Sequence, residues 1–290
     1  PEAATASGEQ VREIAVDQLF PVKNHPFKVL DDQAMLDTVQ SIKEHGVLVP
    51  AIARPRPEGG YELVSGHRRQ HACQLAGIES MPVLVRNLDD DAATILMVDS
   101  NLQRENILPS ERAFAFKLKL EAMKHQGNRA DLTSSQLGTK LESKRADQLL
   151  AEQAGESRNQ VQRYIRLTEL IPEMLAMVDD RRMAFNPAVE LSYLTKDEQQ
   201  QLFEEMENCQ ATPSLSQAQR LKKFSQEGKL SEDVIMAVMS EEKKDIDKVT
   251  LPGEAINKFF PKSFTPKQKQ DTIIKLLEQW QRKRQQSLER

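Results

Sequence analysis

Two arginines follow a glycine at the point where a short apolar run gives way to a helical pattern. The segment Ser65-Gly66-His67-Arg68-Arg69 comes directly after residues 61–64, and its helix is expected to run from Arg69 to Ala76 and to end at Gly77. A helix start offers unpaired backbone N–H groups, and guanidinium groups match the geometry of phosphate oxygens. The pattern therefore indicates a phosphate-type anion site. An internal carboxylate is the commoner partner for arginines at a helix start, where the dipole disfavours cations, and this alternative stays open.

A second polar cluster, Asn101-Leu102-Gln103-Arg104, ends a helix expected to begin at about Asp90. Amides and an arginine at this position can complete an anion site, or they can cap the last carbonyls of the helix. The carboxylates of residues 89–91 are expected only to favour the start of that helix.

A third pattern, from Gln148 to Leu167, fits a helix-turn-helix. Ala151 lies four residues before Gly155, so two crossing helices can approach closely, and Gly155 suits a left-handed turn. Ser157 is expected to cap the second helix and to form a capping box with Gln160.

The second helix of this pair carries side chains that suit DNA. Arginine, asparagine and glutamine can bond base edges and phosphates in a major groove, although an ordinary helical hairpin with a solvated charged face shows a similar pattern. The candidate DNA-binding residues are Ser157, Arg158, Asn159, Gln160, Gln162, Arg163 and Arg166.

Composition sets the frame for these sites. The chain has 290 residues, which is enough for two or three domains, and its 29% charged and 5% aromatic residues favour a helix-rich protein. A net charge of −4 argues against a non-specific polycation, but not against a reader with its basic residues on one helix. The two cysteines form neither a disulfide framework nor a zinc spacing, and Cys73 is predicted in a core. No apolar run approaches roughly 20 residues and no signal peptide is expected, so a cytoplasmic location is predicted.

The predicted fold class is α+β. Residues 1–12 are expected to be a disordered tail, and 13–108 a small α/β domain with strands near 14–16, 47–53, 61–64 and 82–85, a helix ending at Gly46 and a turn at Phe20-Pro21. Residues 109–228 are predicted to be all helical, with Ser110 capping a helix that ends at Gly127 and polar breaks at 128–135 and 143–147. Residues 229–290 are predicted to form a helical C-terminal segment.

The last helix is expected to start at Thr265-Pro266, with Gln268 completing a capping box. It carries an apolar stripe that is a candidate dimer seam, or equally a face that packs within the molecule. The stripe consists of Ile273, Ile274, Leu276, Leu277 and Trp280.

In combination and order, the three motifs resemble the ParB partition-protein family, including its Noc-like members, and look most like the versions carried on plasmids and mobile elements. The resemblance rests on residues 65–69 with 76–77 and 81–83, on Ser100 to Pro109, and on the helix-turn-helix, and covers about 13–195. It implies a ParB/sulfiredoxin-like N-terminal domain and a homodimeric clamp that binds CTP with Mg²⁺. Such a clamp recognises a palindromic site in double-stranded DNA and then slides along the DNA. The resemblance also implies association with the nucleoid or plasmid and not with membranes, and a ParA-type ATPase as partner.

The resemblance also implies roles for particular residues. Gly66, Arg68 and Arg69, flanked by Ser65 and His67, would hold the triphosphate, and Ala76-Gly77 would border the base. Asn101 would help to hold Mg²⁺, while Gln103 and Arg104 would complete the site.

Three departures qualify the resemblance: the family usually has Glu where His67 and Ser100 stand, and Gln where Val49 stands. Because carboxylate oxygens hold a hard cation and two of the family's carboxylates are missing here, hydrolysis of the bound nucleotide is expected to be weak or absent.

Two other functions fit the same scaffold, a transcriptional repressor of a mobile element and a ParB-like nuclease. A redox enzyme of the sulfiredoxin type is disfavoured by the core position expected for Cys73.

Overall fold

The structure, a computed structural model, describes residues 11–22, 25–29, 31–102, 104, 107–133, 146–241, 256–261 and 263–288. Two compact units divide the chain at residue 241. The first unit contains a five-stranded sheet and eleven helices among its described residues, and the second contains the C-terminal helix. The predicted boundary at residue 228 is therefore displaced, because the helix Glu232–Met239 buries Ile235, Val238 and Met239 in the same core as Leu221.

The sheet has the order β1-β5-β3-β4-β2. Its strands are β1 (Val11–Ala15), β2 (Leu19–Pro21), β3 (Ala51–Pro55), β4 (Tyr61–Ser65) and β5 (Ser80–Val85). Neighbouring strands pair antiparallel in β1–β5 and β3–β4, and parallel in β5–β3 and β4–β2. β1 begins at Val11, two residues inside the predicted tail, whose residues 1–10 lie outside the described part.

Two helices pack on one face of this sheet, α1 (Gln33–His45) and α2 (His67–Ala76). Asp32 caps α1 by accepting from the Met35 backbone N–H at 2.8 Å, and α1 buries Met35 and Ile42 against the sheet. Cys73 of α2 is fully buried in this core, as predicted.

Two sequence predictions for this region are wrong. The turn predicted at Phe20-Pro21 is the parallel strand β2, which pairs with residues 61–63 of β4. The strand predicted from Val47 starts only at Ala51, and Leu48 and Val49 are exposed.

The remaining helices of the first unit follow in sequence. They are α3 (Asp90–Leu102), α4 (Pro109–Thr133), α5 (Ala146–Ala154), α6 (Arg158–Leu167), α7 (Pro172–Asp179), α8 (Phe185–Leu191), α9 (Lys196–Cys209), α10 (Leu215–Gln226) and α11 (Glu232–Met239). α4 connects the sheet to the helical region, because Ala115 packs against Met97 of α3 while Phe116 and Leu120 pack against α5 and α6.

Three predictions about α4 and its surroundings fail. Ser110 lies inside α4 and not at its cap, where its N–H and hydroxyl bond the carboxylate of Asp179 at 2.9 and 2.5 Å. The helix continues through Gly127 to Thr133, so residues 128–133 do not form the predicted break. Asp147, assigned to a polar break, lies in α5; residues 134–145 are outside the described part.

The second unit contains α12 (Pro266–Leu288). The Thr265 hydroxyl accepts from the Gln268 backbone N–H at 3.3 Å, and the Gln268 amide oxygen accepts from the Thr265 N–H at 2.9 Å, which confirms the predicted capping box.

Candidate functional site

The turn from β4 into α2 requires a glycine. Gly66 has a φ of +111°, a region that side chains disfavour, and a Cβ there would lie 2.8 Å from the Cβ of Ala51 and 3.2 Å from Nη2 of Arg69. The first N–H groups of α2 have no acceptor within the helix, so this turn presents backbone donors.

The two arginines after Gly66 have different partners. Arg68 forms a 3.2 Å ion pair with Asp32, the cap of α1, as the carboxylate alternative predicted. Arg69 donates instead to the backbone carbonyls of Val49 and Pro50, the latter at 2.8 Å, and within the described residues no carboxylate pairs with it. Burial lowers the pKa of the Arg69 guanidinium. A half-buried guanidinium whose partners are neutral carbonyls can bind an anion.

A cavity of about 140 Å³ opens at this turn. Its lining includes residues of the motif at 65–69 and residues at the end of α3, the two segments that the family resemblance implies for one site. Its lining consists of His25, Phe27, Lys28, Val29, Ser65, Gly66, His67, Arg68, Arg69, Ser100, Asn101 and Arg104.

Three predicted site residues are not part of this lining. Ala76 and Gly77 lie at the opposite end of α2, and ten residues of helix span about 15 Å. Ala76 packs against the sheet core, and Gly77 ends the helix with a φ of +72°. Gln103 is outside the described residues.

Two histidines that lie 42 positions apart in the sequence meet in the cavity, and no local spacing predicts this pair. The rings of His25 and His67 are 4.0 Å apart, and the Nε2 atom of each is buried with no hydrogen-bond partner among the described residues. His25 Nδ1 donates to the Phe27 carbonyl at 2.8 Å, so its Nε2 is an acceptor when the ring is neutral. Burial, reinforced by the charge of His25, lowers the pKa of His67 to about 3, and burial also lowers the pKa of His25.

Mg²⁺ does not fit these residues. Asn101, its predicted ligand, donates its amide to the Met97 carbonyl at 2.8 Å, and its oxygen accepts from Arg104 at 3.5 Å. Mg²⁺ requires oxygen ligands, usually carboxylates, and the described residues that line the cavity include no carboxylate. Among the described residues no group of three His, Cys, Asp or Glu side chains could hold a metal ion.

The helix-turn-helix pattern forms as a pair of helices. Gly155 has a φ of +66° between α5 and α6, and the Ser157 hydroxyl accepts from the Gln160 backbone N–H at 3.1 Å. The predicted capping box is only half formed, because the Gln160 side chain accepts from Arg163 at 3.3 Å. Leu150 of α5 and Val161 of α6 are fully buried between the helices.

The predicted DNA-binding side chains divide into two groups. Ser157, Arg158, Asn159 and Gln162 are exposed at the start and along one face of α6. Gln160 and Arg163 are half-buried, and Arg163 donates to the side chain of Asn186 on α8.

Arg166 has a different environment from the rest of this face. Its Nε and Nη2 donate to the hydroxyl and carbonyl of Ser192 at 3.1 and 2.6 Å, and its guanidinium stacks on the Tyr193 ring, 4.2 Å from the centroid. These bonds anchor α6 to the end of α8.

In the second unit, the apolar stripe of α12 is largely exposed. Ile273 is half-buried, and Ile274, Leu276, Leu277 and Trp280 are exposed, with Trp280 at 59%. Among the described helices of the chain, none is long and apolar enough to cross a membrane.

The fold and the two sites define a class of protein in which a small α/β domain with a cationic pocket precedes a helix-turn-helix domain. Family models of the ParB N-terminal domain and the ParB HTH domain match residues 1–102 and 135–223. The chain belongs to the ParB family.

Similar proteins carry the same family name. The chain is 36% identical over 121 residues to the probable chromosome 1-partitioning protein ParB of Deinococcus radiodurans, which covers 42% of each chain. It is 34% identical over 164 residues to stage 0 sporulation protein J of Bacillus subtilis, covering 57% of this chain and 51% of that protein. The chain spans between about two fifths and two thirds of the length of the curated relatives it matches.

Solved structures with lower similarity include a C-terminally truncated ParB of Caulobacter crescentus. Its complex with the centromeric parS site is 23% identical, with a TM-score of 0.44, and covers 73% of this chain and 98% of that chain. Its complex with CTP-gamma-S is 28% identical, with a TM-score of 0.31, and covers 63% of this chain and 92% of that chain.

Proposed function

We propose that this protein is a partition protein that recognises a DNA sequence with α6 and loads onto that DNA under the control of a bound nucleotide. The observation that carries the proposal is the exposed row of Ser157, Arg158, Asn159 and Gln162 on a helix that is capped and anchored on its other side. A helix that presents such side chains at its N-terminal end suits the major groove.

We assign the recognition of DNA bases to only part of the predicted set of side chains. Arg158 is 52% exposed while its Nε bonds Asp147 at 2.5 Å, so the guanidinium is held in place at the surface. Arg163 is oriented by Gln160 and Asn186. Arg166 uses Nε and Nη2 for Ser192, so we assign to it the role of fixing α6 against α8.

The pocket at Gly66 supplies the second part of the function. We infer that a nucleoside triphosphate binds there, because a desolvated guanidinium, a helix start and further cations meet at a cavity whose described lining residues include no carboxylate. CTP is the nucleotide implied by the resemblance. Without a carboxylate to activate water, hydrolysis is expected to be weak or absent.

A palindromic DNA site requires a second copy of the chain. Dimers match twofold protein symmetry to two half-sites about one helical turn apart or a multiple of it. The exposed stripe on α12 is the proposed dimer seam, and Trp280→Ala is expected to shift a dimer toward monomer in analytical ultracentrifugation. A dimer unaffected by this change would place the seam elsewhere.

The relatives are named chromosome-partitioning proteins and, in Listeria monocytogenes, a nucleoid occlusion protein. We propose the corresponding role here: segregation of a chromosome, plasmid or mobile element, association with the nucleoid or plasmid, and cooperation with a ParA-type ATPase.

The DNA proposal is tested by selecting duplexes from a random library with the full chain. An enriched sequence is expected, and a selection that enriches none would refute sequence-specific binding. On the enriched duplex, Arg158→Ala and Arg163→Ala are each expected to lose about 1–3 kcal/mol by fluorescence anisotropy, with much smaller losses on a scrambled duplex. Equal losses on both duplexes would assign these arginines to phosphate contacts.

Arg166→Ala is the matched control, because it removes an arginine of the same helix that bonds within the chain. It is expected to lower the thermal midpoint while leaving the preference for the enriched sequence unchanged.

Footprinting then separates partition from repression. Protection that extends beyond the enriched site when CTP is added supports the clamp, whereas a bounded footprint that CTP does not change supports a repressor.

A further inference from the structure

We propose that the pocket at Gly66 binds its polyphosphate ligand without a divalent cation, with the side chains of the chain supplying the positive charge. This inference rests on the proposed nucleotide function and deepens it, since it specifies the charge state in which the ligand is recognised.

Charge complementarity is the first argument. Among the described residues, four cationic side chains line the cavity, Lys28, Arg68, Arg69 and Arg104, and no acidic side chain does. The metal-free polyphosphate keeps the two negative charges that a divalent cation would neutralise. A lining with this excess of positive charge therefore matches the free anion better than its metal complex.

The neighbouring carboxylates do not reverse this balance. Asp32 pairs with Arg68, and its oxygen also accepts from a backbone N–H at the start of α1. Glu111 is buried beside the cavity, but its two oxygens accept from the backbone N–H groups of Lys28 and Leu108, at 2.8 and 3.2 Å. Both carboxylates are thus occupied by the protein, and Arg69 and Arg104 have no carboxylate partner within the described residues.

The second argument comes from the groups that would have to hold the metal. His25 and His67 line the cavity with imidazole rings in place of carboxylates, and Asn101 has its amide oxygen directed to Arg104. Imidazole nitrogens are poor ligands for Mg²⁺, which demands oxygen and gives up its water reluctantly.

The test measures CTP binding to the full chain by calorimetry at equal ionic strength, in MgCl₂ and in EDTA. We expect the dissociation constants to agree within about threefold, or the binding in EDTA to be tighter. Binding that weakens by about tenfold or more in EDTA would overturn the inference while leaving the nucleotide function intact. Absence of CTP binding in both buffers would refute the proposed nucleotide function itself.

Two variants at one position sharpen this result. His67→Glu places oxygen ligands beside Asn101 and is expected to make CTP binding tighter in Mg²⁺ than in EDTA. His67→Gln, which is polar but uncharged, is expected to keep the same affinity in both buffers. If His67→Glu shows no dependence on Mg²⁺ while His67→Gln does, the assignment of residue 67 is wrong.

The cationic part of the proposal has its own variant. Arg104→Gln preserves a polar side chain that can still bond Asn101, and circular dichroism verifies that the variant folds. Its affinity for CTP, and for inorganic tripolyphosphate as a probe without base or sugar, is expected to fall at least about tenfold in both buffers. Unchanged affinity for both ligands would show that this guanidinium does not hold the phosphates.

Discussion

Lowering the pH from about 7.5 to about 5 is expected to reduce the free energy of unfolding by about 2 kcal/mol through His67. Burial, with the neighbouring charge of His25, lowers the pKa of His67 from 6.5 to about 3 in the folded protein. Below pH 6.5 the unfolded chain therefore binds a proton that the folded protein does not. The contribution is complete above pH 6.5 and is lost as the pH falls from 6.5 toward 3.

The magnitude follows from the position of pH 5 between the two pKa values. At pH 5 the imidazole remains neutral in the folded state, so the loss is set by how far pH 5 lies below the pKa of the unfolded chain. That difference is 1.5 pH units, and each unit corresponds to about 1.4 kcal/mol. His25 adds to the loss in the same direction, because burial lowers its pKa as well.

The assay is urea unfolding followed by circular dichroism at several pH values, for the wild type and for His67→Gln. Subtracting the two profiles cancels the titrating groups that do not interact with His67, and the difference should change by about 2 kcal/mol between pH 7.5 and 5. His45→Gln removes a histidine whose side chain is 62% exposed, and it serves as the control. Parallel profiles for wild type and His67→Gln would refute the burial of the neutral ring.

Two further predictions concern stability and are measured by the same urea assay. Gly66→Ala is expected to cost about 1–3 kcal/mol, since its Cβ would lie 2.8 Å from that of Ala51. Gly59→Ala is the control and should cost less, because Gly59 also has a positive φ but a Cβ there would meet open space. Equal costs for the two variants would attribute the effect to backbone strain alone. Asp99→Asn is expected to cost about 1.5–3 kcal/mol, because it leaves the ammonium of Lys119, which is 2% exposed, without its half-exposed carboxylate partner. Lys119→Met removes the buried charge and should cost less. The reverse order would show that an unpaired Lys119 ammonium is not the source of the loss.

Local signals predicted most elements that depend on a few adjacent residues. The cap at Ser157, the left-handed glycine at 155 and the capping box at Thr265 all form as predicted, because side chain and backbone partners lie within three residues. The core position of Cys73 also followed from helical spacing, which places it on the face that α2 turns to the sheet.

The wrong predictions concern segments whose secondary structure depends on residues that are distant in the sequence. Ser110 has the residue type of a helix cap, but the carboxylate of Asp179, 69 positions away, holds it inside α4. The pair Phe20-Pro21 has the sequence of a turn, but it forms a strand because it pairs in parallel with β4, about 40 residues later in the chain. Gly127 predicts a helix end, but α4 continues past it. A glycine inside a helix costs only about 1 kcal/mol, so it does not by itself end the helix.

The sequence by itself determined the order of the motifs and the residue types they carry: a glycine with two arginines, an amide-rich helix end, and a capped helix whose arginine, asparagine and glutamine side chains could bond base edges. It could not decide which of these side chains are free to bind a ligand. Only the tertiary structure places His25 against His67, pairs Arg68 with Asp32 but Arg69 with the backbone carbonyls of Val49 and Pro50, and bonds Arg166 to Ser192. The physical reason is that spacing along a helix fixes the direction of a side chain, whereas its partners come from chain segments that meet only when the protein folds.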